Sequence, residues 1–278
     1  MLHLVLAILS SAMVSITMRL STDRVSGNVS LLAMNYLTCA VLSALWGGAG
    51  SLFPAVPTLG NALLLGFISG VLYLTGFAIF QVCVVKNGVV LSAIFMKLGL
   101  LVPMVLSICF FHEVPGLPQI LGFLLAVAAI ILINFEKGTS AMQFRAGLIF
   151  LLLFAGGADG MSKVYEELGD PALSNQYLFY TFLVATLLCV PLCIYKKDRP
   201  GRNEVLFGML VGVPNFFAAK FLLGALESLP AVIVYPCFSV VTILLITLAG
   251  VLFFKETLGR RQKTAIGIIL AAVVLLNL

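Results

Sequence analysis

The chain has 278 residues, of which 62% are hydrophobic and only 10% charged, and its mean hydropathy is +1.17. Soluble domains carry about 25% charged residues, so a soluble enzyme, a disordered tail and a coiled coil are all excluded. Lys and Arg number 16 against 11 Asp and Glu, a net charge of +5 spread along the chain, which argues against a nucleic-acid partner and leaves a polytopic membrane protein.

A helix crossing hydrocarbon needs roughly 20 apolar residues, and ten such stretches follow one another with little chain between them. The first, Leu4–Leu20, has no basic stretch ahead of it and no small-residue cleavage site, so it reads as a permanent helix; it closes at Arg19. The second, Val29–Trp46, holds Asn35 and Tyr36, and the third, Asn61–Val85, holds Gly66, Gly70 and Gln81. The fourth, Val89–Phe111, places Lys97 near its middle and Pro103 six residues later, and the fifth is Leu117–Phe135. In the sixth, Ala146–Val164, Asp159 and Lys163 are four residues apart, on one helix face and within ion-pairing reach. The seventh, Gln176–Tyr195, opens on polar residues from Asn175 that suit an interfacial belt, and it contains Pro191. The eighth, Val205–Leu226, carries Pro214, Asn215 and Lys220; the ninth, Ala231–Phe254, carries Tyr235 and Pro236; the tenth is Thr264–Leu278. All six cysteines fall inside spans and read as small packing residues; Cys189 and Cys193, one helical turn apart, have no His or carboxylate nearby to complete a metal set.

The spans are a five-helix unit written twice. Phe110-Phe111-His112-Glu113 after the fourth reads against Phe253-Phe254-Lys255-Glu256 after the ninth. In the same register Gln119 through Asn134 matches Gln262 through Asn277, Gly66 and Gly70 match Gly208 and Gly212, and Arg19 matches Lys163. Five is odd, so the second copy must enter the membrane inverted. Loop charge agrees, since cytoplasmic loops collect Lys and Arg. Arg24, Lys86, Lys137, Arg145, Lys196, Lys197, Arg199, Arg202, Lys255, Arg260, Arg261 and Lys263 fall on one face, while the other shows His112, Glu113, Glu166, Glu167, Asp170 and Glu227. This bias puts both termini outside. The expected architecture is an all-α integral membrane protein of ten transmembrane helices in two inverted five-helix repeats, residues 1–138 and 139–278. Such repeats belong to secondary transporters, with a substrate site near midplane.

With Phe111-His112-Glu113, Gln119 and Gly122 in one half and Phe254-Lys255-Glu256, Gln262 and Gly267 in the other, the whole chain resembles the EamA type of the drug/metabolite transporter superfamily. The resemblance implies ten helices, a central cavity and alternating access for small solutes, in a bacterial-type inner membrane. It also implies cytoplasmic termini, from which the loop charges of this chain depart.

A charge at bilayer depth costs about 2.5–3.5 kcal/mol on insertion scales and is a functional candidate by default. Lys97 and Lys220 are therefore read as substrate-binding, with Asn215 and Tyr235 beside helix-breaking prolines orienting the cargo. Asp159 is read as a partner of Lys163 or Lys220 or as carrier of a coupling proton. Lys163 and Arg19 lie near enough to helix ends to snorkel, and as repeat partners Arg19 and Lys163 are gate candidates. Glu113 and Glu256 precede helices and are read as their caps. Two lysines against one carboxylate favour a small polar cargo, anionic or zwitterionic, with a carboxylate or phosphate group, such as an amino acid or organic acid, carried by a monomer or homodimer without cofactor. The alternative is a proton-coupled exporter of cationic or aromatic drugs with Asp159 as counter-ion. No His-Glu-x-x-His, Gly-x-Ser-x-Gly or phosphate loop is present, so an intramembrane enzyme is not expected.

Overall fold

The computed structural model describes residues 1–21, 24–47, 52–87, 92, 95–96, 98–134, 144–254 and 260–277. With no water in hydrocarbon, backbone amides and carbonyls must pair within each crossing segment, which long apolar runs achieve only as helices. Ten α-helices and no strand occur among the described residues: α1 (Leu2–Ser21), α2 (Asn28–Gly47), α3 (Leu59–Asn87), α4 (Leu101–Phe110), α5 (Leu117–Asn134), α6 (Arg145–Leu168), α7 (Ser174–Lys196), α8 (Arg202–Leu226), α9 (Ala231–Phe254) and α10 (Arg260–Leu276). Seven are long and apolar enough to cross a membrane; the shorter apolar helices are Leu98–Phe110, Leu117–Leu132 and Lys263–Leu276.

The fourth predicted span differs from expectation within the described residues. A 3-10 turn over Leu98–Leu100 leads into α4. Pro103 therefore stands in the first turn of α4, behind that 3-10 turn, a position that tolerates its missing N–H. Pro191, Pro214 and Pro236 lie inside α7, α8 and α9 as read.

The chain divides into two compact units, Met1–Leu74 with Val164–Glu227, and Thr75–Lys163 with Ser228–Leu278. In the first unit α2 packs against α7 and α8, and α1 against α8. Its core gathers Tyr36, Cys39, Tyr165, Tyr177, Phe182, Cys189 and Phe216. The two glycine pairs of the sequence repeat work here in the same way. A β-carbon at Gly66 would stand 3.1 Å from the Tyr177 carbonyl and 3.3 Å from the Thr181 amide, and one at Gly70 2.6 Å from the Thr181 carbonyl. At Gly208 it would meet the Leu31 carbonyl at 3.1 Å and the Asn35 amide at 3.2 Å, and at Gly212 the Asn35 carbonyl at 2.8 Å. Thus α3 lies on α7, and α8 lies on α2, backbone against backbone through equivalent atoms.

In the second unit α5 pairs with α10, and α9 packs on both. The core holds Leu100, Ala126, Ala129, Ile130, Val240, Ile243, Ile269 and Ala272. A smaller cluster joins Cys83 of α3 to Leu148 and Leu151 of α6.

Helix ends are closed by an uncommon device. His112 (φ 56°) and Lys197 (φ 54°) are the non-glycine residues with positive φ among those described, a conformation that costs most residues about 1 kcal/mol. Each ends a helix, and each is followed by a carboxylate that caps a helix far away in sequence. Asp198 Oδ2 accepts from the Val29 and Ser30 amides (2.9 and 3.2 Å) and Oδ1 from the Ser30 hydroxyl (2.6 Å), at the start of α2. Glu204 ties the same loop, with Oε1 accepting from the Ser26 amide and hydroxyl at 3.0 and 3.1 Å and Oε2 from the Gly201 amide at 3.1 Å. Glu113 does the corresponding work in the second unit.

Candidate functional site

Lys220 lies in the first unit, on α8. Its ammonium is 2.6 Å from Asn175 Oδ1 and 5.3 Å from the ring centroid of Trp46. Lys220 stands six residues before the last residue of α8, Leu226, about 9 Å along the axis at 1.5 Å per residue. Asn175 is the second residue of α7, and Trp46 the penultimate residue of α2. The long side chain thus carries its charge towards helix ends, as an amphipathic side chain does. One of three ammonium hydrogens goes to Asn175, and the half-buried charge sits beside an exposed aromatic face. A cation set over an indole ring at this distance is a cation–π contact.

Asn215, next to Pro214, donates from Nδ2 to Asn35 Oδ1 at 3.2 Å. It joins α8 to α2 one turn from the close contact of Gly212. Beyond Lys220, His3 stacks on Phe221 (6.2 Å). Its Nδ1 lies 3.0 Å from the Gly224 carbonyl, which can only accept, so the proton is on Nδ1.

The second unit collects the other charged groups. Lys163 Nζ is 3.0 Å from Glu113 Oε1, with 4% and 14% of the side chains exposed, and it lies over the Phe111 ring at 5.7 Å. The same carboxylate accepts from the Ala231 amide through Oε1 (3.0 Å) and the Val232 amide through Oε2 (3.1 Å). Glu113 therefore caps α9, and not the helix it precedes, as its place in the sequence suggests. The left-handed turn at His112 redirects the chain, and α5 is served instead by Gln119, whose Oε1 accepts from the Gly116 amide at 2.9 Å. Tyr235 is buried and donates to the main-chain carbonyl of Asp159 at 2.9 Å.

Asp159 is exposed although it lies on the packed side of α6. At about 100° per residue it falls roughly 40° around the helix from Ala155, roughly 60° from Gly156, and roughly 130° from the exposed stripe of Ile149, Phe150 and Leu153. Ala155 meets Gly76 of α3, and Gly156 meets Gly99 of the 3-10 turn. Asp159 is thus an exposed acidic residue on the helix face that carries these two contacts.

Arg19 is exposed in the last turn of α1, where a cation complements the helix dipole. Lys97, Lys255 and Glu256 lie outside the described residues. The structure brings together Tyr235, Asp159 and Lys163 in one unit, and Lys220 and Asn215 on one helix of the other. Sequence reasoning places Asn175 in an interfacial belt and misses Asp198 and Glu204 as caps. Their signal is a carboxylate or amide within a few residues of a helix end, which names no partner by itself.

The chain resembles known proteins in sequence and in fold. Residues 146–278, from α6 onward, match the model of the EamA-like transporter family. An uncharacterised protein of Haemophilus influenzae is 25% identical over 288 aligned positions, covering 98% of this chain and 96% of its own. A protein of known crystal structure, 14% identical, superposes with a TM-score of 0.77 over 99% of this chain and 94% of its own, a likeness of fold.

Proposed function

We propose, from the match of residues 146–278 to the model of the EamA-like transporter family, that the chain is a secondary, alternating-access carrier of a small polar metabolite with an anionic group. A membrane transporter of the drug/metabolite type is what the family indicates; the cargo class is our own reading. The observation that carries it is the Lys220 ammonium, half-buried, held by Asn175 and set against the Trp46 ring. A carboxylate or phosphate arriving there exchanges its hydration for a charge-assisted bond. Asn215 and Tyr235 lie beside prolines whose missing amides leave helix carbonyls open to polar partners.

The same reading takes the ten helices as two inverted repeats with both termini outside. The equivalent glycine contacts of α3 on α7 and of α8 on α2 support the repeat, and the Lys and Arg of the loops support the orientation.

An uptake screen in proteoliposomes tests the cargo. Organic acids, amino acids and phosphate esters should be accepted in preference to lipophilic cations, and Lys220→Gln should raise the apparent KM for an accepted anion at least ten-fold. Unchanged uptake of every accepted solute by that variant would remove Lys220 from the site. The accessible Asp159 carboxylate favours a second reading, proton-coupled export of cationic or aromatic compounds. In that case cations are accepted and Asp159→Asn uncouples them from the proton gradient while anions are ignored.

A further inference from the structure

Two ties fasten the first turn of α9 to α6. Going up α6 from Asp159 to Lys163 is one turn, and going down α9 from Tyr235 to Ala231 is one turn. Tyr235 donates to the Asp159 carbonyl at the lower level. At the upper level Lys163 pairs with Glu113, whose two oxygens hold the Ala231 and Val232 amides. Immediately beyond Tyr235 comes Pro236, inside the helix. A proline has no amide for the carbonyl four residues back, here that of Val232. The Val232 amide, in the first turn and so without an intrahelical acceptor, goes to Glu113, and its carbonyl loses the Pro236 donor. Past the proline the attachments change. Val240 and Ile243 sit in the apolar core with Ala126, Ala129 and Ile130 of α5 and Ile269 and Ala272 of α10.

One helix thus has its polar ties to α6 before the proline and its place in the apolar core of α5 and α10 beyond it. We propose that α9 is jointed at Pro236, and that Glu113 with Lys163 is a latch that fixes its first turn, residues 231–235, to α6 and lets that turn disengage as a unit. The motif Phe111-His112-Glu113 is then a device in its own right. Phe111 covers the lysine, the left-handed His112 turns the chain, and Glu113 closes on a helix more than a hundred residues away. The inference does not depend on the cargo.

Hydrogen exchange of the full-length protein in neutral phosphatidylcholine nanodiscs tests it. The amides of residues 231–235 should exchange at least ten-fold faster than those of 240–244. Glu113→Gln should accelerate 231–235 by a further ten-fold or more and leave 240–244 and the first unit unchanged. Lys163→Gln, which keeps the carboxylate on the amides, should give a smaller acceleration confined to the same stretch, and it serves alone where Glu113→Gln does not fold. Equal protection on both sides of Pro236 in the native protein would overturn the joint. Acceleration of both stretches alike in either variant would make the ion pair a staple of the whole helix and overturn the latch.

Discussion

At the scale of single residues, Glu113 gathers three donors on two oxygens: a lysine and two main-chain amides. Removing one member of a buried pair strands its partner in a dry site, at a cost of about 3–5 kcal/mol. Glu113→Gln and Lys163→Met should therefore each lower the melting temperature in detergent. The double variant should lose less than the sum of the two, because neither charge is then left alone. His112 offers the opposite case. Its φ of 56° suits glycine, so His112→Gly should leave the melting temperature unchanged or raised, and a marked fall would show that the imidazole itself is needed. The four-residue rule puts Asp159 and Lys163 on one face of one helix. It is blind to Glu113, whose approach depends on a backbone reversal that no spacing encodes.

Among elements, the glycines separate by what surrounds them. Gly70 and Gly212 sit where an added methyl would stand 2.6 and 2.8 Å from carbonyl oxygens of the facing helix. Substitution by Ala at either should push the helices apart, at about 1–3 kcal/mol each. Gly267 has nothing within 4 Å of where a β-carbon would lie, and Gly267→Ala should be neutral or favourable by up to about 1 kcal/mol. Thermal melting of the three variants side by side reads this contrast. Helix ends give a further expectation. Asp198→Ala strips the Val29 and Ser30 amides of their acceptor and should cost about 1–2 kcal/mol, seen as faster hydrogen exchange at the start of α2. Most helix bounds were readable from apolar length alone, because in hydrocarbon length and backbone pairing leave one solution. The glycine pairs were readable as helix contacts from their four-residue spacing. The caps were not: Asp198 serves amides 169 residues before it, and a carboxylate after a helix end looks like any polar loop residue. In the fourth span, apolar length concealed the 3-10 turn ahead of α4, since Leu98-Gly99-Leu100 is as hydrophobic as a helix there would be.

Over the whole molecule, neither half of the sequence owns a core. The first compact unit combines Met1–Leu74 with Val164–Glu227, and the second Thr75–Lys163 with Ser228–Leu278. Residues 1–143 produced alone should be protease-sensitive, and co-production with 144–278 should restore resistance. Sidedness is a property of the same scale. If the Lys and Arg loops are cytoplasmic, a reporter that folds only outside the cytoplasm should be active at either terminus and silent between Lys196 and Arg202. The charge bias between successive loops is legible in the sequence because it rests on composition. The exchange of helices between halves is not, because partner choice is made by surfaces that meet only after folding. That exchange reaches into biogenesis. The amides opening α2 receive their carboxylate from residue 198, so a ribosome must finish most of the chain before the second helix it made has a closed end. Glu113 likewise emerges long before Ala231 does. Nascent chains stalled between these points carry uncapped helices in the bilayer, and they are the forms that membrane quality-control proteases should meet first.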